Sequence, residues 1–161
     1  MRTKGLEVGT REALPSLAPN GIVLLNVNGQ FAHSMEAVRK HLGRSRARRI
    51  LVGAPFDPSA LGALLALEEA GRLEDCAVVT LGGCIEGRME LRKPGTRLVG
   101  DVAFFLDKYG EHIIRIAIGV LERKFVTKAV FTRHQVLTQK NLDHYYPNNC
   151  LMSPVAAIQE G

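Results

Sequence analysis

The chain predicts an α/β fold, a mainly parallel sheet with helices on both faces, and three observations carry that prediction. Short runs at residues 50–52, 77–79 and 98–104 read as strands, the first buried on both faces and the second also buried. The segments between them show helical spacing with start and stop signals, so strand and helix alternate. With 46% hydrophobic residues in 161, the chain has enough apolar surface for one real core.

Taken in order, residues 6–14 place Leu6, Ala13 and Leu14 at helical spacing, while Gly5 and Gly9 weaken the short helix they predict. Pro15, Pro19, Asn20 and Gly21 make a turn, after which residues 22–25 read as a strand. Ser34 is placed to cap a helix that runs to Leu42, with Met35, Val38 and Leu42 on its apolar face and Gly43 at its end.

The segment ILVGAPFDPSALGALLALEEAG is the most informative. After the strand at 50–52, Asp57 can accept backbone N–H bonds as an N-cap, and Pro58 suits the first helical position because its missing donor would be orphaned anyway. Leu61, Leu64 and Leu65 share one face, and Gly71 suits the left-handed position after the helix. A strand that feeds a helix through a loop is half of a parallel α/β unit, whose ligands bind at the carboxyl ends of the strands.

Gly82, Gly83 and Gly87 surround a loop and a short helix at 87–91, and residues 93–95 turn the chain into the strand at 98–104. A long helix over 107–124 directs Ile113, Ile114, Ala117, Val120 and Leu121 toward the sheet and leaves Lys108, Glu111, Arg115 and Glu122 in water. Residues 129–137 are β-branched and aromatic but interrupted by Arg133, His134 and Gln135, which predicts a more exposed strand. A helical turn at 141–145 precedes a tail that is loosely ordered or covers an edge.

Composition excludes several function classes. Cys76, Cys84 and Cys150 are too few and too scattered for a disulfide framework or a zinc site, and His33, His41, His112, His134 and His144 form no metal spacing. No serine nucleophile elbow, Walker loop or dinucleotide loop is present, so the chain reads as a non-enzyme without metal or cofactor. The net charge is +5, and the cluster Arg39, Lys40, Arg44, Arg46, Arg48 and Arg49 reads as a solvated helix end, not a nucleic-acid surface. The first residues lack a signal-peptide core and no stretch spans a membrane, which predicts a cytoplasmic product as encoded.

Five stretches carry a resemblance to a known family: GQFAHSMEAVRKHL, RRILVGAPFDPSALGALLALEEAG, DCAVV, LRKPGTRLVGDVAFFLDKYGEHIIRIAIGVL and AVFTRHQVLTQKNLDHYYPNN. In that order they resemble the C-terminal lobe of type I periplasmic sugar-binding proteins and their LacI-type regulator relatives. The resemblance implies three parts. Residues 1–20 are a remnant of the inter-lobe helix and linker, 21–149 the C-terminal lobe, and 150–161 a tail.

It also implies a monosaccharide trapped between two lobes, an ABC transporter permease as partner and an extracytoplasmic home, the last in conflict with the missing signal. With the N-terminal lobe absent, the crossing strand at 129–137 becomes an exposed edge open to another chain. By the family's pattern, Phe31 is a stacking wall and Asp57 a hydroxyl partner. Phe56, Gly82 and Phe104 stand where relatives carry amide, acid or tyrosine groups.

Those three exchanges remove polar contacts at about 1 kcal/mol or more each, which predicts weakened or lost sugar binding. The alternatives are a truncated interaction or dimerisation module, associating through the edge and the apolar face of Phe56, Phe104 and Phe105, or a remnant of a sugar-responsive regulator.

Overall fold

The structure is a computed structural model that describes residues 2–127, 129, 131 and 133–147. Four strands form one sheet in the order β1-β2-β3-β4: β1 is Ile50–Gly53, β2 Cys76–Gly82, β3 Leu98–Ala103 and β4 Gln135–Leu137. The first three are parallel and β4 runs antiparallel to β3 at the edge, pairing Asp101 with Leu137 and Ala103 with Gln135. The α-helices among the described residues are α1 (Arg2–Ala13), α2 (Phe31–Leu42), α3 (Asp57–Glu69), α4 (Ile85–Arg92), α5 (Tyr109–Leu121) and α6 (Leu142–Tyr145). The α/β class and the mainly parallel sheet are as the sequence predicts.

The core lies on one face of the sheet, under α2, α3 and α4. Val78 and Leu98 from the strands meet Ala60, Ala63, Ala66 and Leu67 from α3 and Leu91 from α4, all buried. Small residues on α3 let α2 approach closely. A Cβ on Gly62 would collide with the Phe31 carbonyl and come within 3.2 Å of the Met35 nitrogen. The helix ends as Gly71 predicts, with φ +63, its N–H donating to Glu68 O at 2.9 Å and that of Arg72 to Leu67 O at 2.8 Å.

Several expectations are corrected. Ser34 does not cap α2, which begins at Phe31. It sits buried inside the helix and donates to Ser59 O at 2.7 Å, tying α2 to α3. Residues 22–25 form no strand, and Val23 and Leu24 are exposed. Of the predicted strand at 129–137 only Gln135–Leu137 pairs, while 128, 130, 132 and the tail at 150–161 lie outside the described residues.

Two corrections concern the second face of the sheet. Strand β1 is not buried on both faces, because Leu51 is 53% exposed. Helix α5 buries none of its residues: Ile113, Ile114, Val120 and Leu121 all face solvent, where their spacing predicted contact with the sheet. The element that approaches this face is α1, whose Leu6 comes within 3.5 Å of where a Gly53 Cβ would stand. No helix among the described residues is long and apolar enough to cross a membrane.

Candidate functional site

Because β1, β2 and β3 are parallel, their carboxyl ends make one rim, the edge at which α/β sheets hold ligands. Phe56 follows β1, Gly82 ends β2 and Phe104 follows β3. Phe56 is the residue before α3, extended at φ −151, and its ring remains half exposed.

The two rings are brought together by a residue the sequence reading did not single out. The Arg2 guanidinium lies 4.7 Å from the Phe56 centroid and 5.1 Å from that of Phe104, and donates to Pro55 O at 3.2 Å. Each such contact at an exposed site is worth about 0.5–1 kcal/mol. An arginine in the first turn of a weak helix carries no local signal of this role. Only the path of α1 across the sheet shows it.

Behind the rim, Asp57 departs from both of its expected tasks. It is the first residue of α3, not its cap, and no side-chain bond closes that helix end. The carboxylate turns inward, 2% exposed, accepting from Thr80 Oγ1 at 2.9 Å and from the Cys84 N–H at 2.8 Å. Both oxygens therefore anchor the start of α4 to the end of β2, and neither faces solvent as a partner for a hydroxyl. Gly82 lies against this carboxylate, where any Cβ would overlap Asp57 Oδ2. An acid or amide at that position does not fit with Asp57 in place.

Asp101 completes the cluster and was also missed. It is fully buried on β3, accepts from the Gly83 N–H at 3.0 and 3.1 Å, and hydrogen-bonds to Asp57. Burial, reinforced by the Asp57 charge and partly offset by the Gly83 N–H, pushes its carboxyl up to about 7. Burial likewise pushes the Cys84 thiol up to about 12, so it is not a thiolate nucleophile at neutral pH. Among the described residues no group of three or more His, Cys, Asp or Glu is placed to hold a metal ion.

Phe31, the remaining predicted site residue, begins α2 and lines a groove with Leu61, Leu64 and Leu65 along α3. It takes no part in the Arg2 cluster. In the basic cluster, Arg39 pairs with Glu69 at 2.5 Å on the surface.

No protein-family model matches the chain, and no curated protein does. Solved structures do match. One is an ABC transporter solute binding protein from Bacillus halodurans C-125 with bound myo-inositol, at 20% identity and TM-score 0.71, covering 86% of this chain and 47% of that one. A second is a periplasmic solute binding protein from Actinobacillus succinogenes 130z with bound D-allose, at 15% identity and TM-score 0.67, covering 74% and 41%. A third, from Agrobacterium vitis with bound allitol, is 19% identical with TM-score 0.66, covering 86% and 48%. In each comparison the chain spans less than half of its relative's length, and what it shares with these ABC transporter solute-binding proteins is the fold.

Proposed function

We propose that this chain is one carbohydrate-binding lobe, the C-terminal one, of a two-lobe solute trap serving an ABC sugar transporter. The observation that carries the reading is the rim cluster, in which Phe56 and Phe104 flank one guanidinium at the carboxyl ends of β1 and β3. A sugar or polyol presents an apolar C–H face and a ring of hydroxyls. Aromatic faces suit the first, and a fixed fork of N–H donors suits the second.

The mechanism on this reading is binding, with no bond made or broken. The ligand takes the place of the Arg2 guanidinium over Phe56 and Phe104, which then stack on its C–H face while the displaced guanidinium donates to its hydroxyls. Asp57, Gly82 and Asp101 act behind the rim by holding the loop at the head of α4. Phe31 lies outside this cluster, on the groove along α3, and contributes no stacking face to the rim on this reading. Recruitment of Arg2 offsets part of the polar loss at Phe56, Gly82 and Phe104, but a single lobe encloses only one side of the ligand. Affinity is therefore expected near millimolar, about −4 kcal/mol. A permease partner and an extracytoplasmic place belong to the same reading.

The test is a chemical-shift titration of the chain with a panel of pentoses, hexoses and polyols. Saturable shifts confined to residues 54–57, 82–84 and 104 at millimolar concentration are expected. Micromolar affinity would contradict the weakened grip, and the absence of any saturable shift would overturn carbohydrate binding.

A further inference from the structure

The loop at the carboxyl end of β2 is held by two buried acids. The Gly83 N–H donates to Asp101, and the next N–H along the chain, that of Cys84, donates to Asp57 Oδ2. Consecutive amides thus draw the two carboxyls together, and the helix that follows rests on both. A Cβ on Gly87 of α4 would stand 3.1 Å from Asp101 Oδ2 and 3.3 Å from Asp57 Oδ2.

No element packed around the pair supplies a positive charge. From β2, Thr80 donates to Asp57 Oδ1, and on β4 the residue opposite Asp101 is Leu137. At the head of α4, burial pushes the Cys84 thiol up to about 12, so it stays neutral. Glu86 is exposed, and a hydrogen bond from Cys84 holds its carboxyl below the usual range. Glu90, the acid one turn further along α4, is answered by Lys93 at 2.6 Å and Thr96 at 2.7 Å. Among the described residues no Lys, Arg or His forms an ion pair with Asp57 or Asp101.

The proton on Asp101 therefore decides how the pair behaves. A protonated Asp101 donates to Asp57 and still accepts from the Gly83 N–H. Once Asp101 is ionised that bond is gone, and two negative charges face each other where repulsion is much stronger than in water. The acids themselves have little freedom: Asp57 is built into the first turn of α3, and Asp101 is paired on both sides within the sheet. The loop is tied to them by two N–H bonds, and Gly83 sits at φ +74, a backbone state from which glycine moves at little cost.

We propose that Asp57 and Asp101 form a proton-operated latch on residues 82–84, shut while Asp101 holds its proton and released, together with the head of α4, when both acids are charged. The rise of the Asp101 carboxyl to about 7 places the change at neutral pH. Gly82 ends the strand between β1 and β3, so release loosens the middle of the rim. Only that last consequence, a weaker grip at higher pH, rests on the carbohydrate reading.

Amide hydrogen exchange of the full chain tests the latch, read as protection factors corrected for the intrinsic pH dependence of exchange. Protection of the Gly83 and Cys84 amides is expected to fall at least tenfold between about pH 6 and about pH 8, in step with the carbon-13 titration of Asp101. The Val78 amide, bonded to Arg97 O at 2.7 Å in the core, should not follow. Asp101→Asn keeps a donor toward Asp57 and an acceptor for Gly83, and should leave both loop amides protected across the range. Asp57→Asn removes the opposing charge and should do the same, which covers a failure of the first variant to fold. Loop protection that stays flat in the native chain, a fall shared by Val78, or a fall that both variants keep would overturn the latch. Affinity for the sugar and polyol panel, measured at the same two pH values, should weaken at least threefold at the higher one. A chain whose loop opens with pH yet binds no sugar at either value would uphold the latch and refute the carbohydrate reading.

Discussion

Asp57 and Asp101 lie side by side behind the rim, hydrogen-bonded to each other and each holding one backbone N–H of the loop that leads into α4. Burial, reinforced by the Asp57 charge beside it, favours the protonated form of Asp101 and pushes its carboxyl up to about 7.

Stability follows from the sign of that shift. In the unfolded chain Asp101 loses its proton near the ordinary aspartate value of 3.8, whereas the folded chain keeps it to about 7. Between those values the native state binds more protons, so this group's contribution falls as pH rises from about 4 to 7. Thermal melts over that range should show a declining midpoint, and Asp101→Asn, which keeps a donor toward Asp57, should flatten the decline.

Replacing Asp57 tests the other half of the pair. Asp57→Ala leaves the Thr80 hydroxyl and the Cys84 N–H without their acceptor, a cost of about 1–3 kcal/mol each for a buried group. Asp57→Asn retains the shape and removes the neighbouring charge, so the Asp101 midpoint should move down. Carbon-13 titration of the Asp101 carboxyl reads this directly.

The close approach of α2 and α3 gives a prediction free of charge effects. Gly62→Ala drives a methyl group into the Phe31 carbonyl, in backbone that has little room to shift. It should destabilise by about 3 kcal/mol, the upper end of overpacking costs, measured by urea denaturation. Gly71→Ala meets no atom within 4 Å and should cost only the left-handed backbone strain, about 1 kcal/mol.

What the sequence made legible was local. The strand at Ile50, the Pro58 helix start and the Gly71 stop are set by residues within a few positions, and α3 lies where they put it to within two residues. Ser34 was misread because a serine near a helix start looks the same whether it caps the end or bonds sideways to Ser59 on a neighbouring helix. The stripe on α5 predicted packing on the sheet and is exposed instead, because the left-handed Phe105 and the tyrosines of α6, some 40 residues on, set the direction of the connection into it.

The site shows the same division. Phe56, Gly82 and Phe104 were named through the family resemblance, and each ends or follows a strand whose carboxyl end the parallel sheet brings to one rim. Asp101 in GDVAFF gave no sign of burial, and Arg2 gave none of its place over two rings, because both depend on which distant strand or helix lies alongside.

The most direct test of the rim as a carbohydrate grip is a sugar titration, read on the ring protons of Phe56 and Phe104, in the native chain, in Arg2→Ala and in Phe56→Ala with Phe104→Ala. The account predicts saturable shifts of both rings in the native chain at millimolar ligand. Affinity should fall at least fivefold in Arg2→Ala, and backbone shifts at residues 54–57 and 82–84 should vanish in the double variant. Ring signals that stay still at saturating sugar, or binding that both variants retain at native strength, would contradict it.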